Sequence, residues 1–467
     1  MLVNRILQYQ INKSNKNYNI IDELCFKSKN IYNYGNYIIR QTFIITSKLD
    51  QNIILDTKER EFLIWINQKV NEFNKYKQNN LLKKQSKGKS LNKKIKLLKY
   101  FDRKNKLISY DFMDFVTKYS EPFKILGSQC SQSTLRVLDK AWKSFYVIIK
   151  DWKKNPSKYL GRPKIPKYKK KDGRYPLYIA NNQCRIENNY LYFSWNPLKI
   201  LNNRIKIDIE GKLIQIRFIP RNNVYIMEIV YEIEVPDIKN NEINNIVSID
   251  LGINNFATLT NNLDLQPIVI NGKILKSINQ YYNKQLACYK RMLKKENNKE
   301  NNKEWSNRLD RLTIKRFNKI KDYMHKASKL IINYCIQNNV DTIIIGKNEG
   351  WKQESDLCKK INQTFVQLPY ETFINMMNYK AENATIKVIL TEESYTSGTS
   401  FLDNELPIKE NYNKNRRIYR GLFRSNKGIK INSDVNGSYQ IMKKVVPNAF
   451  SNGIEGVGLH PIVINVA

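Results

Sequence analysis

Six cysteines are spread over 467 residues, at Cys25, Cys130, Cys184, Cys288, Cys335 and Cys358, and no two stand at C-x-x-C spacing. That scatter supports neither a disulfide framework nor a cysteine zinc site. The two histidines, His325 and His460, are too few for a His-based metal centre. His325 lies in a helical pattern beside Lys and Met, an ordinary packed or solvated setting, and receives no chemical role. No run of about 18 apolar residues occurs, so no membrane span is expected. The opening residues, Met1-Leu-Val-Asn-Arg-Ile6, lack the apolar centre of a signal peptide. These absences together predict a soluble cytoplasmic protein with no membrane partner. Acid is scarce as well: 42 Asp and Glu face 80 Lys and Arg, a net charge of +38. So large an excess calls for a polyanionic partner, since self-repulsion would otherwise go uncompensated. An AT-rich genome would explain abundant Lys, Asn, Ile and Tyr, but not positive charge outrunning negative.

What is present is ample. At 467 residues the chain suggests two or three domains, and 41% hydrophobic residues suffice for buried cores. The 29 Tyr and 18 Phe offer faces on which bases can stack. Residues 1–10 read as a strand. Helical patterns run from about Asp22 to Ile45 and over 58–120, broken by the basic, low-complexity stretch Lys75 to Lys99. Such a stretch reads equally as a solvated segment or as a nucleic-acid contact. The clearest helix spans Ser131 to Lys153, where Leu135, Leu138, Trp142, Phe145, Ile149 and Trp152 recur at steps of three and four. That stripe is core; Arg136, Lys140, Lys143 and Lys150 fall off it.

Pro156, Pro163 and Pro166 then close the helical region. Arg162, Lys164, Lys167, Tyr168, Lys169, Lys170, Lys171 and Arg174 follow in a segment too Pro-rich for a helix and too charged for a core. A loop that tracks a phosphate backbone is the preferred reading, with a solvated linker as the plain alternative. Alternation at Ile205-Ile207-Ile209, Ile214-Ile216-Phe218 and Ile229-Tyr231-Ile233-Val235 predicts short antiparallel strands and a small β-barrel.

The second half is organised around Val247-Ser-Ile-Asp-Leu-Gly-Ile-Asn-Asn-Phe-Ala-Thr-Leu-Thr260, a strand, turn and strand with one carboxylate, Asp250, in the first strand. A lone acid in an apolar strand caps its own turn or awaits a cation. Further strands are expected at 267–271, 341–346 and 386–390, and helices at 277–295, 304–338 and 364–383, with a last one from Asp434. That β-β-β-α-β-α-β-α order fits an RNase H-like domain. Glu392 and Glu393 follow the fifth strand, and Asp434 opens the last helix. Capping alone would explain Asp434. Three acids on such a sheet instead suit a hard cation such as Mg2+, and two such ions can serve phosphodiester hydrolysis.

On these residues the chain resembles the TnpB family, transposon-encoded RNA-guided DNA endonucleases related to type V CRISPR effectors. The resemblance rests on Ser248-Ile-Asp-Leu-Gly-Ile-Asn-Asn-Phe-Ala257, Gly346-Lys-Asn-Glu-Gly-Trp-Lys352, Glu392-Glu-Ser-Tyr-Thr-Ser397 and Asp434-Val-Asn-Gly437. Weaker matches are Ala141-Trp-Lys-Ser-Phe145, Pro166-Lys-Tyr-Lys-Lys-Lys-Asp-Gly-Arg174 and Gly456-Val-Gly-Leu-His-Pro461. It covers most of the chain from about Ser128. It implies a multi-domain α+β protein: a strand and helical recognition lobe over 1–157, a wedge-type, oligonucleotide-binding barrel over 158–243, and a RuvC-like nuclease domain over 244–467. It also implies a guide RNA, a double-stranded DNA target, and Mg2+ held by Asp250, Glu393 and Asp434 as catalytic acids.

Two departures from the family pattern stand out. The usual second acid ends the fourth strand, where this chain has Gly346. Some members carry that Glu after the fifth strand instead, where Glu393 stands, with Glu392 and Glu349 as rivals. Many relatives hold a four-cysteine zinc ribbon where Thr396–Ile431 has no cysteine. Zinc is therefore not expected, and Arg416, Arg417, Arg420 and Arg424 read as a metal-free basic loop. A nuclease-inactive RNA-guided repressor and a strand-transfer transposase of the same fold are the alternatives to a guided nuclease.

Overall fold

A computed structural model describes every residue except 87–95, 203, 238–242, 297–304, 349–366, 420, 451–453, 455 and 467. The chain divides into two compact units, Leu2–Ile233 and Glu234–Ala467, the second also taking in Met1. Both are mixtures of helix and strand. No helix among the described residues is long and apolar enough to cross a membrane.

The first unit opens with β1 (Leu2–Ile11) and continues through α1 (Tyr18–Asp50), α2 (Thr57–Gln85), α3 (Tyr110–Thr117), α4 (Glu121–Leu126) and α5 (Ser128–Lys154). The helical pattern expected over 58–120 is interrupted: residues 96–109 are irregular, and α3 begins only where Ser109 accepts a hydrogen bond from Phe112 N. The α5 stripe buries Leu135, Leu138, Trp142 and Phe145, while Ile149 is half-buried. Trp142 Nε1 donates to Asn36 Oδ1 of α1 at 2.9 Å, so the indole meets its polar need inside the core.

Five strands follow: β2 (Leu177–Ala180), β3 (Cys184–Glu187), β4 (Tyr190–Phe193), β5 (Lys212–Arg221) and β6 (Val224–Glu234). They form a four-stranded sheet in the order β1-β6-β5-β2 and a separate β3-β4 ribbon. Ile205-Ile207-Ile209 forms no strand, and only an isolated bridge joins Lys206 to Tyr190. The hairpins β3-β4 and β5-β6 turn on Asn188-Asn189 and Asn222-Asn223, all four residues at positive φ between 42 and 62°. Asn tolerates that conformation better than other non-glycine residues, which makes Asn-Asn a two-residue hairpin turn.

The basic segment 162–174 lies in an irregular, extended run along the polar face of α1. Asn33 exchanges two hydrogen bonds with the backbone of Lys169, and Arg40 Nη1 donates to Pro166 O at 2.7 Å. Arg174 grips Asp22 through two bonds of 3.0 and 2.6 Å, and Tyr225 OH donates to the same carboxylate at 2.6 Å. Burial works against the Asp22 charge, but the Arg174 and Tyr225 hydrogen bonds hold its pKa below the usual range. A depressed carboxylate stabilises the fold above its unfolded pKa of ~3.9, and the contribution is lost as pH falls through the lower folded value. Asp22→Asn should therefore cost about 2 kcal/mol at pH 7. In urea unfolding, the gap between variant and wild type should shrink below about pH 4.

The second unit is built on a sheet of β7 (Ile246–Leu251), β8 (Asn255–Asn261), β9 (Ile268–Asn271), β10 (Thr342–Gly346) and β11 (Lys387–Thr391). The helices are α6 (Lys273–Glu296), α7 (Asn307–Gln337), α8 (Tyr370–Asn383) and α9 (Ser433–Val445). Between β11 and α9 lie β12 (Arg417–Tyr419), β13 (Leu422–Arg424) and β14 (Lys430–Asn432), and β15 (Ile462–Ile464) closes the chain. The order across the main sheet is β11-β10-β7-β8-β9-β15. β7 is parallel to β10 and antiparallel to β8; β15, which has no counterpart among the expected strands, adds parallel to β9.

Alternation along β7 sorts its side chains. Val247, Ile249 and Leu251 enter the core shared with α7 and α8, where Phe256 meets Tyr323, Tyr370 and Phe373. Full burial of one such aromatic contributes about 2–3 kcal/mol. Ile246, Ser248 and Asp250 share the opposite face, toward α9.

The Thr396–Ile431 segment differs from the expected loop, since β12, β13 and β14 form a small antiparallel sheet within it. Arg416 is not a free cation: it forms a two-pronged ion pair with Glu405, with Nη2 to Oε1 at 2.7 Å. Phe401 stacks on Tyr439 of α9 at 4.5 Å, and Asn436 bonds to Phe401 N and Thr399 O. Aromatic packing and the Asn436 hydrogen bonds thus tie this segment to α9, and the Arg416–Glu405 pair braces it internally. Arg424 is exposed, and Arg420 lies outside the described residues.

Candidate active site

A buried hydroxyl network sets α9 across the sheet. Ser248 Oγ donates to Ser438 O at 2.7 Å, Thr260 Oγ1 donates to Ser438 Oγ at 2.9 Å, and Ser438 Oγ lies 3.2 Å from Thr258 O. In register, Ser248 faces Thr260 and Asp250 faces Thr258, so the helix crosses one residue pair away from Asp250. The crossing is close because residue 437 is glycine. A Cβ there would stand 3.1 Å from Asp250 Oδ2. One turn earlier, Asn432 caps α9 through Asp434 N and Val435 N, at 3.0 and 3.2 Å, and so fixes Asp434 at the helix entrance.

Each Asp434 oxygen has a neighbour. Asn255, at the head of β8, donates to Oδ2 at 2.6 Å, and Arg417 of β12 stands 3.6 Å from Oδ1. Asp250 has less relief. Burial, then the charges of Glu393 and Asp434, raise its pKa well above the carboxylate range, against a smaller opposing pull from Arg417.

Glu393 comes to the same place from the turn after β11. Its backbone N donates to Asn348 Oδ1 at 2.9 Å, and Asn348 Nδ2 reaches Oε1 at 3.4 Å. Its carboxylate lies over Gly346, where a Cβ would be 3.1 Å from Oε2, 3.3 Å from Glu393 Cβ and 2.6 Å from Ile441 Cδ1. Glycine at 346 thus leaves a space that the side chain of Glu393 fills. Oε2 is buried with no hydrogen-bond partner. Burial raises the Glu393 pKa, and nearby Lys444 opposes this.

Glu392 points elsewhere: its side chain is 66% exposed, beside Lys444 at 3.9 Å. Glu349 lies outside the described residues. His325 is half-buried on α7, its pKa lowered first by burial and then by Lys380.

The donor set suits a hard cation. Oxygens dominate, like charges crowd Asp250, and an orphaned buried Oε2 has nothing else to bind. Among the described residues, no three Asp, Glu, His or Cys side chains already form a ready metal cage. Of the basic segment, Lys164, Lys167, Lys170 and Lys171 are exposed. Arg174 is spent on Asp22, Lys169 lies over Tyr32 and Tyr175, Tyr168 is faced by Arg40 at 4.8 Å, and Arg162 stands 5.9 Å from the Trp152 ring.

Sequence reasoning did not assign Asn255, Asn348, Lys444 or Tyr370 to this site. Tyr370 OH donates to Gly252 O at 2.9 Å, in the hairpin turn after Asp250. Asn255 and Asn348 stand inside stretches quoted above for the family resemblance, which was the available signal.

Residues 228–352 match the family model described as OrfB of IS605, probable transposase, and residues 370–441 match the Cas12f1-like TNB domain. Asp250 falls in the first match, Glu393 and Asp434 in the second. The resemblance to the TnpB family holds over the second half of the chain. Among solved structures, the chain is similar to a Cas12f1–sgRNA–target DNA complex at 16% identity, covering 94% of this chain and 98% of that one, with a TM-score of 0.32. A CRISPR–Cas12f ternary complex matches at 15% identity over 90% of this chain and 81% of that one, with a TM-score of 0.33. No curated protein matches the sequence.

Proposed function

We propose that this chain is an RNA-guided DNA endonuclease, with guide RNA and double-stranded target DNA as its partners. The observation that carries the reading is the meeting of Asp250, Glu393 and Asp434 on one face of the sheet, with the Glu393 carboxylate over Gly346. The family resemblance and the +38 charge support it. The succession β7-β8-β9, α6-α7, β10, α8, β11 and finally α9 around those acids favours an RNase H-like, RuvC-type domain at 244–467. We place a helical recognition lobe at 1–157 and a wedge-type barrel at 158–243.

Asp250, Glu393 and Asp434 would hold the metal, and a divalent cation such as Mg2+ supplies an activated water and stabilises the attacking and leaving oxygens of a phosphodiester. Asn348 orients Glu393, Asn255 orients Asp434, and Gly437 gives the Asp250 carboxylate room against α9. Arg417, 42% exposed beside Asp434, places a cation where a DNA phosphate would approach. Lys164, Lys167, Lys170 and Lys171 are free to meet a phosphate backbone.

The test is to purify the protein, sequence the RNA that accompanies it, and supply DNA carrying a matching segment. Cutting should need Mg2+ and stop in EDTA. RNA affinity should fall steeply with salt, by about 10³-fold or more between 50 and 200 mM if six or more phosphates are contacted. A preparation free of RNA at moderate salt, with no affinity for its own transcript, would overturn the proposal.

A further inference from the structure

We propose that the α6–α7 hairpin carries a stacking subsite for one unpaired nucleotide of a single-stranded nucleic acid. It deepens the reading above and rests on it for the polyanionic partner, but not for the chemistry of the acids.

A cavity of about 260 Å³ opens between Ser277–Tyr282 of α6 and Leu312–Lys319 of α7. It falls just below the ~300 Å³ at which pockets begin to hold drug-sized ligands, so a single ring system is the right scale. Tyr281 stands at its mouth, 59% exposed, and no aromatic or cation contact to its ring is found among the described residues. Tyr282 forms the inner wall, its hydroxyl 3.3 Å from Thr313 Oγ1 and its ring 4.9 Å from the Arg316 guanidinium. Arg316 is itself locked, by Asn279 Oδ1 at 2.7 Å and Gln367 O at 3.0 Å. The inner half is therefore rigid, and the outer half is open.

The charge around the mouth is uncompensated. Lys315 and Lys319, four residues apart on one face of α7, are exposed and pair with no acid among the described residues. The acids of α7 are committed elsewhere: Asp310 accepts from Trp305 Nε1 at 2.8 Å, and Asp322 pairs with Lys326 at 3.1 Å. An exposed tyrosine over a ring-sized cavity, flanked by two free ammonium groups, matches what an unpaired nucleotide requires. The base takes the ring face and the adjoining phosphates take the lysines. Stacking reads no sequence, so the subsite would accept any base.

The experiment uses the full chain and short single-stranded oligonucleotides carrying a photoreactive base, 4-thiouridine in RNA and 5-iodouracil in DNA. Crosslinked peptides are identified by mass spectrometry. Crosslinks should map to the peptide containing Tyr281, and comparing the two oligonucleotides shows whether RNA, DNA or both are held there. Tyr281→Ala should lower crosslinking at this peptide by about ten-fold, and Tyr281→Phe should retain it because the ring face remains. Lys315→Ala with Lys319→Ala should weaken it and flatten its salt dependence. Tyr281 is on the surface, so the melting temperature of Tyr281→Ala should match wild type, which separates lost binding from lost fold. Crosslinks absent from α6 and α7, or unchanged by Tyr281→Ala, would overturn the subsite. Asp250→Ala should crosslink normally while it loses cleavage; in the wild type, missing crosslinks beside intact cleavage defeat the subsite alone. Intact crosslinks in a wild-type protein that never cuts matching DNA defeat the nuclease reading alone.

Discussion

Asp250→Ala and Asp434→Ala should each lower cleavage of matching DNA by about three orders of magnitude or more, while the protein keeps its RNA. A bound divalent ion supplies several kcal/mol of transition-state stabilisation, and each 1.36 kcal/mol is a factor of ten in rate. Asp250 is the acid on which burial and the charges of both Glu393 and Asp434 act, so its loss removes the carboxylate the other two face. A second readout tests the same reading without turnover. In the absence of divalent cations, Asp250→Ala should be at least as heat-stable as wild type, because it removes a carboxylate that burial and two like charges disfavour. Adding Mg2+ should then raise the melting temperature of wild type but not of the variant, since only a protein that binds the ion gains from it. Retained cleavage in Asp250→Ala would end the nuclease reading. Equal Mg2+ stabilisation of both proteins would move the metal elsewhere. The binding-only repressor is not the favoured reading, since an acid stands at each of the three proposed positions, Asp250, Glu393 and Asp434.

Much of the second unit was legible because its elements carry their own signals. The β7–β8 hairpin, the strands β9, β10 and β11, and the helices behind them follow apolar runs and turn residues that need no tertiary context. The first unit was harder to read. Ile205-Ile207-Ile209 alternates like a strand, yet it pairs with β4 through a single bridge, Leu191 N to Ile205 O and Ile207 N to Asn189 O. That is too short for a strand, so the pattern alone was insufficient. The hairpins at Asn188-Asn189 and Asn222-Asn223 carried a turn signal in plain view, though Asn-Asn is weaker than Asn-Gly. At the site, Asp250 and Asp434 could be named from local pattern and family resemblance. Their partners Asn255 and Arg417 could not, because those contacts span 179 and 17 residues of chain and depend on how α9 and β12 settle. The charge of segment 162–174 was legible, but Arg174's commitment to Asp22, 152 residues earlier, was not.

Glu393→Ala should match Asp250→Ala in lost cleavage, whereas Glu392→Ala should keep most activity. Glu392 is 66% exposed, while Glu393 turns its unpaired Oε2 into the buried space above Gly346. The same geometry makes Gly346 a sensitive position. Alanine there would put a Cβ 2.6 Å from Ile441 Cδ1 and 3.1 Å from Glu393 Oε2. The Ile441 methyl is the end of a flexible side chain and can give way, but the Glu393 carboxylate can do so only by leaving its place. Gly346→Ala should therefore cost about 10²-fold in cleavage with little loss of fold, the usual penalty for displacing a reacting group by about 1 Å. Gly346→Glu alone should be inactive, because two carboxylates then compete for one space. Combining Gly346→Glu with Glu393→Ala empties that space and offers an acid from the adjacent strand, about 4.8 Å away. Part of the lost cleavage should return in the double variant, a coupling that neither single change predicts. If Glu393→Ala cuts normally while Glu349→Ala is dead, the second acid is Glu349, and Glu393 fills the space over Gly346 as packing alone.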